Sequence, residues 1–506
     1  MFAQTLGSTT LGVNGILINV EVDMGNGLPS FDIVGLADAA VRESRERVRA
    51  AIKNSGFRLP ARKTTINLAP ADIRKDSSGL DLPIAIGLLV AAGFISQDSI
   101  ADTMFAGELS LDGKLRGIAG LLPMAIHCQK QGIQKLVVSP ENSNEALLVE
   151  GLTVYAPQYL SELIRYINGD ENLKPCNKNS TTAIVDSLSD DFSDVQGQFA
   201  AKRALEIAAA GGHNVLMVGP PGSGKSMLAK RVSTILPTMS SQEALEVTKI
   251  YSVAGLLKDN AGLIRSRPFR SPHHTISDAG MIGGGRIPKP GEVTLSHNGV
   301  LFLDELPEFS KVALEVLRQP LEDGQVAIAR ANASITYPSK IMLIAAMNPC
   351  PCGFLSDTKQ VCICTPAEIK RYTRKISGPL LDRIDIHIHV PRLEYLEFTD
   401  LKVAESSSVI RARVEKARTI QKKRLENYHL FCNAQMGHRH LKKTCLINSK
   451  GKILLEQAFT RMNLSARSYD RIIKVARTIA DLADCEEIVE QHIAEAIQLR
   501  GNYSTI

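Results

Sequence analysis

The sequence predicts a multidomain α/β protein whose central domain is a parallel sheet flanked by helices and whose last part is helical. Three observations carry that expectation. The segment Gly219–Ser226, GPPGSGKS, follows the apolar run Asn214–Val218 and precedes a helix-like stretch. A second apolar run, Gly299–Leu303, ends in Asp304–Glu305, as a buried parallel strand does when it delivers carboxylates to the carboxyl edge of a sheet. From Leu396 onward only helical patterns occur.

Composition sets the frame. A chain of 506 residues suggests roughly three domains of about 150 residues each, and an apolar fraction of 44% allows full cores. The formal charge of +6 neither demands nor excludes a polyanionic partner. No Lys or Arg occurs before Glu21, and the longest nearly apolar stretch, Leu82–Ile95, carries Pro83 and is too short to cross a bilayer. A cytosolic protein without a membrane segment is therefore expected. Nine cysteines, an odd number, argue for thiols or metal ligation over a disulfide scaffold.

In chain order, residues 1–169 mix strand-like runs (Gly15–Val22, Thr64–Leu68, Lys135–Val138) with helical ones such as Ala39–Asn54, where Val41, Val48 and Ile52 share a face. This reads as one α/β domain. Residues 170–194 turn polar and acidic, with NKNSTT and SLSDDFSD, a composition that buries little and suits a linker. Residues 195–395 alternate helix and strand, and 396–506 form a helical lid.

The chemistry gathers in the central block. In G-x-x-x-x-G-K-S the small residues Gly219, Pro220, Pro221, Gly222, Ser223 and Gly224 let backbone N–H groups curl round phosphates, Lys225 reaches the β/γ oxygens, and the Ser226 hydroxyl ligates Mg²⁺. ATP with Mg²⁺ is the expected ligand. Asp304 then holds the magnesium with Ser226, and Glu305 polarises the attacking water.

Downstream, Ser339–Asn348 is an apolar strand with a polar end, similar to sensor 1 of the AAA+ ATPases, which gives Asn348 the task of orienting that water. Ser377–Asp385 resembles the segment that presents an arginine finger, here Arg383, and Leu464–Tyr469 resembles sensor 2, with Arg467. A guanidinium neutralises charge developing on the transferring phosphoryl group. If Arg383 points away from its own pocket it acts on a neighbouring subunit, which makes a ring part of the active site.

The strings Arg267–Ser277 (RPFRSPHHTIS), Met281–Gly285, Pro290–Asn298 and Asn298–Phe309 (NGVLFLDELPEF) resemble the magnesium chelatase-like branch of the AAA+ proteins and, along the whole chain, the ComM/YifB family. The resemblance implies an AAA+ P-loop NTPase core with a C-terminal helical lid, preceded by a Lon-protease-like (ribosomal S5 domain 2-like) α+β domain. It also implies a homohexameric DNA helicase that drives branch migration while incoming single-stranded DNA is integrated by homologous recombination in natural transformation. Partners implied are single-stranded and branched DNA and recombination proteins. The rival class is a magnesium chelatase-type remodelling subunit acting on a protein partner; the N-terminal domain counts against it, on the expectation that the chelatase motor lacks one. A third reading is an ATP-gated scaffold whose N-terminal domain recruits partners.

Four further features leave alternatives open. The surplus between Lys225 and Asp304, with Gly283–Gly285, His273, His274, Arg265, Arg267 and Arg270, suits a pore loop, as does a β-hairpin over Gln325–Pro338 with Arg330 near its tip; either could equally brace an interface. Cys350, Cys352, Cys362 and Cys364 make C-x-C-x9-C-x-C, compatible with structural zinc and equally with free thiols, while Cys432, His438, His440 and Cys445 read as structural. In the Lon-like domain Asp81 takes the place of the nucleophilic serine and Leu122 that of the lysine, so no peptidase chemistry is expected. Val409–Tyr428 carries seven Lys/Arg against two Glu, either a phosphate-binding face or a solvated one.

Overall fold

The computed structural model describes residues 1–36, 38–75, 78–177, 190–257, 262–285, 288–330, 333–355, 357, 359–392, 404–462 and 464–500. In the N-terminal part, strands pair in the order Ser30–Val34, Lys63–Ala69, Asn14–Gly25, Phe2–Leu11, Thr103–Phe105, Lys135–Val137 and Thr153–Tyr155. The sheet is mixed, and Phe2–Leu11 with Asn14–Gly25 makes a long antiparallel hairpin. Helix Ala39–Asn54 forms where its 3.6-residue pattern predicts, and Val41, Val48 and Ile52 are buried together with helix Asp81–Ala91 in one core.

The central part is a parallel sheet ordered Phe269–Arg270, Val300–Leu303, Met342–Met347, Val215–Val218, Ile386–His389. Every residue of Val215–Val218, Val300–Leu303 and Met342–Met347 is buried, which is why these strands are continuous apolar runs instead of alternating ones. One face shares a core with the lid helices Ser407–Leu425, Ser449–Arg461, Ala466–Leu482 and Glu490–Gln498. A buried polar seam runs through that contact. His213 Nδ1 lies 3.3 Å from Asp385 and its Nε2 2.8 Å from Thr478 Oγ1, Arg471 pairs with Asp385, and Arg424 and Arg477 both pair with Asp481. Burial pulls the Asp385 carboxyl upward, but Arg471 and His213 outweigh it and hold the group below the usual carboxylate range.

The supposed linker behaves differently at its two ends. Cys176 packs beside the N-terminal core, whereas Phe192 is fully buried under the central parallel sheet and Asp191 accepts from the Ser407 N–H of the lid. One aromatic side chain and an ion pair of Asp194 with Arg231 anchor a segment whose composition reads as solvated. Residues 178–189 of the expected linker, the expected boundary near residue 395 between the central block and the lid, and Asp76 and Ser77 lie outside the described residues.

Strand Gln325–Arg330 pairs antiparallel with Ala333–Pro338, as the alternation predicts, and buries Val326, Ile328, Ile335 and Tyr337. The Tyr337 hydroxyl donates to the Pro288 carbonyl of the preceding insert at 2.7 Å, so hairpin and insert brace each other. The insert also joins the N-terminal part. The Gly120 N–H donates to Ser252 O, at the end of helix Ser241–Ala254, and Ser252 Oγ donates to Glu145, which accepts from the Leu122 N–H at 2.8 Å.

Candidate active site

Strand Val215–Val218 releases the chain into the loop Gly219–Gly224 at the carboxyl edge of the sheet. Only glycine fits at Gly219, where a Cβ would sit 2.1 Å from the Val390 carbonyl oxygen. Gly224, in the left-handed region at φ +87°, caps helix Lys225–Ile235 without any side-chain hydrogen bond. The first-turn N–H groups of that helix, which have no intrahelical acceptor, are thus left for a ligand, and the helix dipole favours an anion there.

Lys225 is buried, and its ammonium donates to the carbonyls of Gly219 and Pro220, both at 2.8 Å, and to Asn348 Oδ1 at 3.3 Å. Burial lowers its pKa and the nearby Asp304 partly restores it. A cation held chiefly by neutral oxygens in a half-dry site is a seat for an anion. The Ser226 hydroxyl donates to Asp304 Oδ2 at 2.6 Å. Hydroxyl and carboxylate, converging from the loop helix and the end of strand Val300–Leu303, form the oxygen donor set that a hard divalent cation prefers. Both triphosphate and magnesium fit the residues present.

Glu305 adopts φ +51°, uncommon for a residue with a side chain, and such backbone strain gathers at functional sites. Its carboxylate lies 3.4 Å from His274 Nδ1, and His274 in turn stacks on His273 with ring centres 4.1 Å apart and meets Phe309 edge-on. The sequence reading places His273 and His274 in an insert suited to a pore loop or an interface brace; the structure sets His274 beside the Glu305 carboxylate. The signal available was position, since both histidines follow the strand Phe269–Arg270 that borders Val300–Leu303.

Asn348 thus joins Lys225, Ser226, Asp304 and Glu305 at one end of the sheet. Among the described residues the two arginines do not contact the loop. Arg383, mostly covered, pairs with Glu322 and donates to the Pro379 carbonyl at 2.8 Å, while Arg467 is exposed in the first turn of helix Ala466–Leu482. Of the cationic stretch Val409–Tyr428, Arg413, Lys416 and Arg424 are spent on ion pairs with Glu206 and Glu405, Asp484, and Asp481; Arg411, Lys422 and Lys423 face solvent. Cys350, Cys352, Cys362 and Cys364 come together beside Asn348, their ligand atoms all within 4.8 Å of one another. The second cluster disperses, with His438 on Asp470 and His440 accepting from the Gly437 N–H.

At the protease-like position Asp81 is wholly buried and paired with Arg47 at 2.8 Å, and it also accepts from the Leu109 N–H. Leu122 is buried as well. No hydroxyl–amine pair stands at these two places.

Comparison with known proteins bears on the whole chain. Residues 191–398 match the family model described as magnesium chelatase, subunit ChlI; residues 404–500 match its C-terminal counterpart; and residues 20–142 match subunit ChlI of Mg-chelatase. The chain is similar to the competence protein ComM of Haemophilus influenzae, 42% identical with 97% of this chain and 96% of that protein covered. It is similarly related to YifB of Escherichia coli, 43% identical over 97% and 95% of the two chains. The 67 kDa magnesium-chelatase subunit of Chlorobaculum parvum is 27% identical, over 31% of this chain and 23% of its own. Because residues 20–142 match a model named for a chelatase subunit, the N-terminal domain no longer counts against a chelatase-like role.

Proposed function

This chain belongs to the magnesium chelatase-like AAA+ family that includes ComM and YifB, and on that premise we propose that it is an ATP-driven, homohexameric DNA motor. Its work is branch migration as incoming single-stranded DNA is integrated by homologous recombination in natural transformation. The observation that carries the catalytic half is the convergence of Lys225, Ser226, Asp304 and Asn348 on one loop, with Ser226 and Asp304 only 2.6 Å apart.

In this reading the N–H groups of Gly222–Ser226 and the Lys225 ammonium bind the triphosphate. Ser226 and Asp304 would hold Mg²⁺, which when bound would screen the phosphate charge. Glu305 takes the proton of the attacking water, and Asn348 orients that water. Arg383 has no contact with the loop of its own chain among the described residues, which supports action on a neighbour; Arg467 reads the nucleotide from the lid. The DNA half rests on the kinship with a competence protein.

The test is ATP turnover with and without single-stranded DNA, followed by branch migration of a labelled three-strand junction. Glu305→Gln should bind ATP and assemble while turnover falls by about 10²-fold or more; a variant that still moves strands would refute the assignment. Arg383→Ala should lose about 10³-fold in turnover yet regain activity when mixed with Lys225→Ala chains, because each supplies what the other lacks. Turnover indifferent to DNA, together with a protein partner that stimulates it, would favour the chelatase-type remodelling role suggested by the matched chelatase models.

A further inference from the structure

The four cysteines of the loop after Asn348 are placed for a single ion. Cys350 Sγ lies 3.3 Å from Cys352 Sγ and 3.7 Å from Cys362 Sγ, Cys352 and Cys362 are 3.6 Å apart, and Cys364 completes a group within 4.8 Å. Four thiolates at about 2.3 Å from a tetrahedral zinc stand about 3.8 Å from one another, close to the spacings observed. An iron–sulfur cluster spreads its thiolates over two or more irons and needs a wider cage. Disulfide bonding is not the alternative taken up here, since all four are free and the shortest separation far exceeds the roughly 2.05 Å of an S–S bond.

The loop is also a wall of the nucleotide site. Cys350 follows Asn348 by two residues, and Asn348 touches Lys225. Gly353, at φ +87°, leans on the loop so closely that a Cβ would meet Pro221 Cδ at 2.7 Å and Asn348 Cγ at 3.9 Å. Its N–H is fixed by the Cys350 carbonyl at 3.0 Å, and the Cys352 N–H points at Cys364 Sγ at 3.4 Å. On the far side Arg392 reaches the Pro221 carbonyl at 3.4 Å and Asp357 at 3.6 Å. A short loop with little apolar core of its own keeps such a shape only if something closes it, and a structural metal does so by supplying folding free energy directly.

We propose that Cys350, Cys352, Cys362 and Cys364 bind one zinc ion, and that this ion holds Asn348 and the Gly353–Pro221 contact in place, so that metal occupancy governs how tightly the chain grips ATP. The second half rests on Gly219–Ser226 being the nucleotide site; the metal half does not.

The experiment uses the full chain purified without chelator. Elemental analysis and colorimetric release by a thiol reagent should give one zinc per chain and no iron. Stripping with a strong chelator, or the double substitution Cys362→Ser/Cys364→Ser, should weaken binding of a fluorescent ATP analogue with Mg²⁺ at least tenfold. Zinc added back should restore the stripped wild type but not the double variant. Should the double variant fail to fold, Gly353→Ala keeps all four thiols and should retain zinc while losing nucleotide affinity by a similar factor. Protein that carries no zinc and shows four freely titratable thiols at these positions overturns the metal site. Zinc that can be removed without change in nucleotide affinity overturns the coupling. A zinc-loaded wild type that binds no ATP analogue at all refutes the nucleotide site instead and leaves the metal site standing.

Discussion

Lys75 and Lys225 are both buried lysines whose amines rest on two backbone carbonyls, yet they do different work. Lys75, wholly inside the N-terminal domain, donates to the carbonyls of Gly35 and Pro70, and burial lowers its pKa. Lys225 donates to Gly219 and Pro220, and burial lowers its pKa too. The difference lies in what surrounds them. Beside Lys225 stand an uncapped helix N-terminus, left-handed glycines and a hydroxyl–carboxylate pair, all of which favour a charged visitor. Lys75 knits two loops, and its own N–H and C=O pair with Leu36 and Asp38 across the same junction. A buried cation on neutral oxygens is therefore no signature by itself; the site is recognised by neighbouring donors that the chain leaves uncommitted.

The widest contrast is expected from exchanging each lysine. Lys225→Ala should reduce ATP turnover to background and also lower stability in urea by about 1–3 kcal/mol, because the Gly219 and Pro220 carbonyls it releases are buried. Lys75→Met should leave turnover near wild type while stability falls by no more than about 1–3 kcal/mol, the carbonyls of Gly35 and Pro70 being only partly covered. If Lys75→Met silenced turnover in a folded protein, the distinction drawn between the two sites would be wrong. A smaller effect sharpens it for anions. Asp385 is folded below the usual carboxylate range, so its stabilisation is complete above the unfolded pKa of about 3.9 and drains away as pH falls through the folded value. Asp385→Asn should thus be less stable than wild type by about 3–5 kcal/mol at pH 7, and the gap should narrow below about pH 4. A gap that stays constant from pH 7 to pH 3 would mean that the carboxylate charge is not what holds the lid.

Much of the architecture was legible because it follows from period and punctuation. Helix Ala39–Asn54, the strands before Gly219 and Asp304, and the hairpin Gln325–Pro338 stand where apolar spacing puts them. Strand Phe2–Leu11 escaped because FAQTLGSTT is rich in small and polar residues; Thr5, Ser8 and Thr9 are buried only because helices and neighbouring strands cover them. The docking of Phe192 was hidden for the same reason, a lone aromatic amid acids being unreadable without its partner surface. Local motif spacing located Lys225, Ser226, Asp304 and Asn348, whereas His274 needed the sheet order, which brings its strand beside that of Glu305. Among the described residues Arg383 and Arg467 make no contact with the loop, so motif spacing alone stands behind them.

The seam of His213, Asp385, Arg471 and Thr478 has a mechanical consequence. Prising the lid from the sheet would part the buried Asp385 carboxylate from Arg471 and break the His213–Thr478 hydrogen bond, so within one chain these two blocks behave as a welded joint. On the proposed motor reading, displacement driven by the nucleotide would then be exported, through surfaces outside that joint, to whatever the chain leans against.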